Sequence, residues 1–187
     1  ISDATPIITL GEGGTPLIPA PALSARTGAR VYVKFEGMNP TGSFKDRGMT
    51  MAVSKAVEHG AKAIICASTG NTSASLASYA AAADIPALVL IPEGKISGGK
   101  LAQTIAHGAL VVQIEGNFDD ALALLRTIAL DYDRYGVYLV NSVNPFRPEG
   151  QKTIVFEMLE QLQWKAPDWI TLPGGNLGNT AAFGKAI

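Results

Sequence analysis

Short apolar runs alternate along this chain with longer stretches in which apolar positions recur every three or four residues. The runs at 31–36, 63–66, 87–91, 110–114, 137–140 and 169–172 read as strands. Between them, helical spacing predicts helices at 44–59, 72–83, 97–107, 118–132 and 149–163. The clearest is 118–132, where Phe118, Ala121, Leu122, Leu125, Ala129 and Tyr132 fall on one face behind Asn117, a side chain suited to an N-cap. Strands that are apolar nearly throughout, separated by helices, imply a parallel sheet covered on both faces. The expected fold class is α/β.

A repeated unit supports this. His59-Gly60-Ala61 leads through a strand to Gly70-Asn71, and His107-Gly108-Ala109 leads through another to Gly116-Asn117. Each His-Gly pair suits a helix end, with glycine for the left-handed cap and histidine for the negative pole. These are the only two histidines in the sequence. With both spent as caps, a His-based hydrolase triad and a His-rich metal site are poorly supported, and no metal is expected.

Charge narrows the partners. Fifteen basic and sixteen acidic residues leave a net charge of −1, so no overall field draws the chain to nucleic acid or to an anionic membrane. Any anion must be captured locally. The single cysteine, Cys66, lies in an apolar strand and reads as a small core residue, which fits a reducing cytoplasm. No apolar run approaches the ~20 residues that span a bilayer.

In open parallel sheets ligands gather beyond the carboxyl ends of the strands. Four loops there are polar or glycine-rich. The first is NPTGSFKDRG, residues 39–48, where Ser43 and Asp46 fit a capping box and leave Lys45 in the first helical turn. The dipole disfavours a cation there, and the apolar Phe44 adds desolvation, so the lysine pKa should fall. Such a lysine suits Schiff-base formation and proton transfer, although a snorkelling surface lysine would carry the same sequence. The second loop, 67–73, crowds Ser68, Thr69, Asn71 and Thr72 onto a helix start, as an anion site or as ordinary caps. The third, 141–147, carries Asn141, Ser142 and Arg147, whose planar fork suits phosphate oxygens. The fourth, 173–179, sets Gly174, Gly175 and Gly178 among Asn176, Leu177 and Asn179, as a backbone cradle for an anion. It is neither a dinucleotide fingerprint nor a P-loop. A carbonyl-reactive lysine beside a phosphate cradle points to pyridoxal 5′-phosphate.

Taken together, PTGSFKDRGMT, ASTGNTSAS, EGNFDDA, NSVNPFRPEGQKT and PGGNLGN resemble the threonine synthases, of the fold-type II (tryptophan synthase β-like) pyridoxal-phosphate enzymes. The likeness runs from Gly11-Glu12-Gly13-Gly14-Thr15-Pro16 onward, in the family's order. It implies that Lys45 forms the Schiff-base link to the cofactor, that Asn71 hydrogen-bonds the ring's 3′-oxygen, and that Gly175, Asn176, Leu177, Gly178 and Asn179 bind its phosphate. Ser68, Thr69 and Thr72 would hold the substrate carboxylate or phosphate, and Asn141, Ser142 and Arg147 the substrate phosphate.

The reaction implied converts O-phospho-L-homoserine and water to L-threonine and phosphate, with no metal, in a cytoplasmic homodimer. Dehydratases of threonine and cysteine synthases share single motifs, so they remain alternatives, as does a non-catalytic phosphate-binding module. The resemblance also implies a two-domain enzyme, with 46–141 as a small domain and 1–45 and 142–187 as parts of a larger one. The family's partner for the pyridine nitrogen comes from a later segment. The chain is therefore expected to be an N-terminal portion, poor at holding cofactor and inactive alone.

Overall fold

Residue alternation within the strands builds the core. In the computed structural model, which describes residues 1–94 and 98–187, Ala63–Ala67 (β3), Ala87–Pro92 (β4), Leu110–Ile114 (β5) and Val137–Leu139 (β6) form one parallel sheet in the order β5-β4-β3-β6. Ile64, Cys66, Val89 and Ile91 pack on one face against Lys45–Glu58 (α2) and Asn71–Ala82 (α3), through Met49, Val53, Leu76 and Tyr79. Ile65, Ala67 and Leu90 pack on the other against Ala121 and Leu125 of Phe118–Leu130 (α5). Each fully buried Leu or Ile contributes about 1.5–3 kcal/mol, and the period of two along β3 supplies both layers at once.

The parallel α/β sheet is as expected, and several element bounds differ. The run at 31–36 narrows to Tyr32–Lys34 (β2) and pairs antiparallel with Leu17–Pro19 (β1), outside the main sheet. Pro21–Thr27 (α1) fills the connection between them. The strand expected at 169–172 does not form: the segment pairs with no described strand, and Trp169 is exposed. The helix expected at 149–163 starts earlier and divides at Lys152 into Phe146–Gln151 (α7) and Thr153–Gln161 (α8). The helix expected at 118–132 ends at Leu130, and Tyr132–Tyr135 (α6) follows a break at Asp131. Gly98–Ala106 (α4) matches the helix expected at 97–107, whose first position lies outside the described residues. Gly178–Ala186 (α9) closes the described chain.

Local capping was read correctly at α5 and incorrectly at α2. Asn117 Oδ1 accepts from the Asp119 and Asp120 N–H groups at 2.7 and 3.2 Å, while Asp120 Oδ2 accepts from Asn117 N–H at 2.8 Å. Both His-Gly pairs end helices, with Gly60 and Gly108 left-handed at φ 70° and 81°. The Ser43–Asp46 capping box is absent: α2 begins at Lys45 after Phe44, with no side-chain cap. Asp46 instead turns inward, as described below.

Two features of this fold bring the loops together. Parallel pairing of β3 with β6, in the register Ile65 to Leu139, sets the segments after both strands side by side. In addition, α2 crosses α7 at close range through glycine. A Cβ on Gly150 would lie 1.7 Å from the Arg47 carbonyl oxygen, and one on Gly48 would lie 2.9 Å from that of Arg147. Only glycine allows the two backbones this approach. Among the described residues no helix is long and apolar enough to cross a membrane, and no cluster of His, Cys, Asp or Glu could hold a metal ion.

Candidate active site

Lys45 is presented by a turn that is anchored from several directions. Asp46, fully buried, accepts from Thr41 N–H at 2.7 Å, from Thr41 Oγ1 at 2.5 Å and from Ser75 Oγ at 2.6 Å. Lys100 Nζ donates to the Thr41 carbonyl at 3.0 Å. The motif residue after the aspartate does similar work on the far side. Arg47, 3% exposed, donates through Nε and Nη2 to Glu36 at 2.7 and 2.9 Å and through Nη1 and Nη2 to Glu157 at 2.6 and 2.7 Å. Thr15, Thr153 and Lys34 complete that network. Burial pushes the Glu157 carboxyl up, but hydrogen bonds from Arg47 and Lys34 outweigh it and hold the group down at about 2. Lys45 is thus flanked by two residues that fix its backbone.

The Lys45 ammonium sits over the Phe44 ring at 4.4 Å, and among the described residues its side chain makes no hydrogen bond. Burial, and secondarily the Arg147 charge, lower its pKa to about 8. The fall expected from an apolar neighbour at a helix start is therefore present, with Arg147 as a further cause that sequence could not supply.

Lys45 opens onto a shallow recess lined also by Ser142, Arg147, Pro148, Gln151, Asn176, Gly178 and Asn179. Three of the four predicted loops meet here. Every buried side-chain polar atom left without a partner among the described residues belongs to this lining: Arg147 Nε and Nη2, Gln151 Oε1 and Asn179 Oδ1. Arg147 is 2% exposed, and among the described residues its side chain makes one hydrogen bond, from Nη1 to the Val140 carbonyl at 3.2 Å. Burial pushes its guanidinium down to about 10. A buried donor or acceptor without a partner costs about 1–3 kcal/mol, so this recess is built for something that bonds there.

The remaining predicted residues lie elsewhere. Ser68 and Thr69 line a separate recess with Ser73, Val89, Ile91, Leu101 and Thr104. Asn71 is exposed at the start of α3, whose first turn carries no side-chain cap, and Thr72 follows it half-buried. Gly175 and Leu177 are exposed on the glycine-rich loop, with Leu177 left-handed at φ 60°. Asn141 is buried between the loops: its Oδ1 accepts from Ala67 N–H and its Nδ2 donates to the Ala67 carbonyl, both at 2.9 Å. That amide ties the end of β3 to the segment after β6, and so joins the Ser68–Asn71 loop to the Ser142 loop. Cys66 is buried, as expected, and burial pushes its thiol up to about 12. Sequence reading missed Gln151. The signal available was its spacing, one helical turn beyond Arg147.

A parallel sheet covered on both faces, a lysine of lowered pKa at a helix start and a glycine-rich loop beside it define a class. The chain belongs to the pyridoxal-phosphate dependent enzyme family, whose model matches residues 8–187. It is 58% identical over 185 residues to the threonine synthase of a Synechocystis species, covering 98% of this chain and 47% of that protein. It is 60% identical over 183 residues to the threonine synthase of Mycobacterium bovis, covering 98% of this chain and 50% of that protein. The chain thus spans about half the length of the curated relatives it matches. Its fold matches maize serine racemase at a TM-score of 0.83 and 23% identity, over 98% of this chain and 55% of that one. Cysteine synthase of Entamoeba histolytica gives 0.81 and 22%, over 94% and 54%. The expected family and the fold-type II architecture are both borne out.

The residues present fit the cofactor. Lys45 offers an amine that is substantially neutral near pH 8, and the Asn176–Asn179 loop suits phosphate oxygens. The unpartnered oxygens of Gln151 and Asn179 suit donor groups.

Proposed function

We propose that the chain carries the lysine-bearing half of a threonine synthase, converting O-phospho-L-homoserine and water to L-threonine and phosphate. The observation that carries this reading is the pairing of Lys45 with the buried, unpartnered guanidinium of Arg147 in one recess. A substrate without phosphate would leave that charge desolvated and unpaired, at a cost of several kcal/mol.

Pyridoxal phosphate, when bound, supplies an electron sink for the pair left on the substrate α-carbon. Lys45 would hold the cofactor through its aldehyde. Gly175 through Asn179 would take the cofactor phosphate, and Asn71 its 3′-oxygen. Ser68, Thr69 and Thr72 receive the substrate carboxylate at the uncapped start of α3, where free N–H groups and the helix dipole favour an anion. Arg147 and Ser142 hold the substrate phosphate, with Asn141 setting the geometry of their loop. The free Lys45 amine would take the α-proton and then carry the β-proton, which ends on Cγ once phosphate has left, while the hydroxyl of water adds at Cβ and a proton returns to the α-carbon. A lysine held near pKa 8 loses its proton readily enough for both roles. We further read 46–141 as a small domain and the flanking segments as parts of a larger one, in an enzyme that works as a homodimer.

The test uses the protein expressed from its full reading frame. Borohydride should fix the cofactor onto Lys45, located by peptide mapping, and phosphate should be released from O-phospho-L-homoserine faster than L-serine, L-threonine or O-acetylserine is turned over. Preference for an unphosphorylated substrate would replace this reading with a dehydratase or a β-replacing enzyme. Absence of any covalent link would leave a phosphate-binding module.

A further inference from the structure

Lys100 has no part in the roles above, yet it reaches the turn that presents Lys45. We propose that Lys100 is a positioning residue for Lys45: through the Thr41 carbonyl it ties α4, which walls the recess at Ser68 and Thr69, to the turn that aims the lysine. The proposal rests on the reading of Lys45 as the aldehyde-binding lysine.

The case starts from how Thr41 is gripped. Residues 39–42 form a tight turn, closed by the Gly42 N–H donating to the Asn39 carbonyl at 2.8 Å, with Gly42 left-handed at φ 80°. Thr41 is buried and donates to Asp46 through both its N–H and its hydroxyl. Its carbonyl accepts from Lys100 Nζ at 3.0 Å. An anion from α2 and a cation from α4 therefore hold one residue between them, just ahead of Lys45. A Cβ on Gly42 would lie 3.8 Å from Lys100 Nζ, the one group from elsewhere in the described chain within 4 Å of it. The ammonium is thus what packs on this turn from outside.

What Lys100 carries with it gives the contact its use. It is half-buried, and its other acceptor among the described residues is neutral, Gln103 Oε1 on the same helix at 3.5 Å. A donor that bears a charge makes a hydrogen bond about twice as strong as a neutral one, so the Thr41 carbonyl is held firmly. The adjoining positions of α4 meet a different loop. Leu101 and Thr104 line the recess with Ser68, Thr69 and Ser73, and Thr104 Oγ1 donates back to the Lys100 carbonyl at 2.8 Å. One turn of α4 therefore touches both the Ser68–Thr69 loop and the Lys45 turn. A second tie comes from α3, where Ser75 Oγ donates to Asp46 at 2.6 Å. The two grips fall on either side of Lys45 in the chain, at Thr41 before it and at Asp46 after it. Held at both, the turn keeps one direction in which to present the lysine.

Lys100→Met keeps the length of the side chain and removes its charge and donors, so it should loosen the turn without disturbing the sheet. In the protein expressed from its full reading frame, hydrogen exchange read by mass spectrometry should become about tenfold faster in the peptide over residues 40–48, the scale of one lost charge-assisted hydrogen bond, and stay unchanged over 63–67. In the same variant, stripped of cofactor and resupplied with pyridoxal phosphate, borohydride-fixed capture at Lys45 should slow by about tenfold, because a misaimed amine meets the aldehyde less often. Lys100→Arg, which restores charge and donors, should recover both. Lys100→Gln serves if the methionine variant does not fold, and should speed the 40–48 exchange by a smaller factor. Leu101→Ala tests the link to the recess: it should speed 40–48 exchange while Lys100 is present and add nothing in the Lys100→Met background. Unchanged exchange over 40–48, equal acceleration over 63–67, capture at the wild-type rate, or additive effects of the two substitutions would overturn the proposal. If borohydride fixes nothing at Lys45 in wild-type protein, the functional reading fails instead, and the exchange pattern still tests Lys100.

Discussion

Replacing Arg47 by methionine would remove the cation that joins Glu36 to Glu157, two carboxylates from distant parts of the chain. The Arg47 side chain is 2% exposed, while Glu36 and Glu157 are 16% and 24% exposed. Loss of one partner from a buried ion pair costs about 3–5 kcal/mol, because the remaining charge stays desolvated. Lys34 still pairs with Glu157, at 2.8 Å, and both carboxylates reach some water, so we take the lower end, about 3 kcal/mol. For a folding unit of about 190 residues that corresponds to a fall in Tm of about 6–12 °C, and to a smaller one in a longer protein.

The assay is thermal and urea unfolding of Arg47→Met in the full-length protein, with Glu36→Gln/Arg47→Met/Glu157→Gln alongside. The triple variant should recover much of the loss, since an intact buried network is worth little more than a neutral replacement. The effect also has a pH signature. Glu157 is depressed from its ordinary 4.5 to about 2, so its stabilisation is present above 4.5 and is lost as pH falls through 2. The gap between wild type and Arg47→Met should therefore shrink across that window. A loss below about 1 kcal/mol at neutral pH, in the range of exposed ion pairs, would refute the reasoning.

Four further outcomes are expected. Lys45→Ala should abolish the borohydride-fixed cofactor and reduce phosphate release by more than about a thousandfold, as loss of a covalent and proton-carrying group does. Lys45→Met should be more stable than wild type at neutral pH without cofactor. The folded lysine titrates at about 8 rather than its ordinary 10.5, so wild-type stability rises between those values and the two proteins converge there in a pH series of urea melts. Asp46→Asn should cost about 1.5–3 kcal/mol in chemical denaturation, since it weakens charge-assisted bonds from Thr41 and Ser75. Gly150→Ala, whose Cβ would lie 1.7 Å from the Arg47 carbonyl, should force α2 and α7 apart, lower Tm and slow covalent capture of cofactor by Lys45.

Much of this was determined by the sequence alone. Apolar runs and helical periods specify the parallel core because they depend on near neighbours and on a period of two or 3.6. The cap at Asn117 was legible for the same reason: its partners are two and three residues away. Lys45, Arg147 and the 176–179 loop could be picked out by residue type. Their meeting in one recess could not, since it follows from β3 pairing with β6 and from two glycines that let α2 and α7 touch. Where reading failed, a distant partner had won. Asp46 looked like a local cap, but Ser75 and the Thr41 turn hold its carboxylate. The segment at 169–172 has the composition of a strand and pairs with no described strand. Composition and spacing determine which groups the chain has to offer, whereas burial, charge and unmet hydrogen bonds belong to groups that only folding brings together. That is why the lowered pKa of Lys45 was foreseeable in direction from its neighbours, and why the burial of Arg147 and Gln151 in the recess beside it was decided by the tertiary structure.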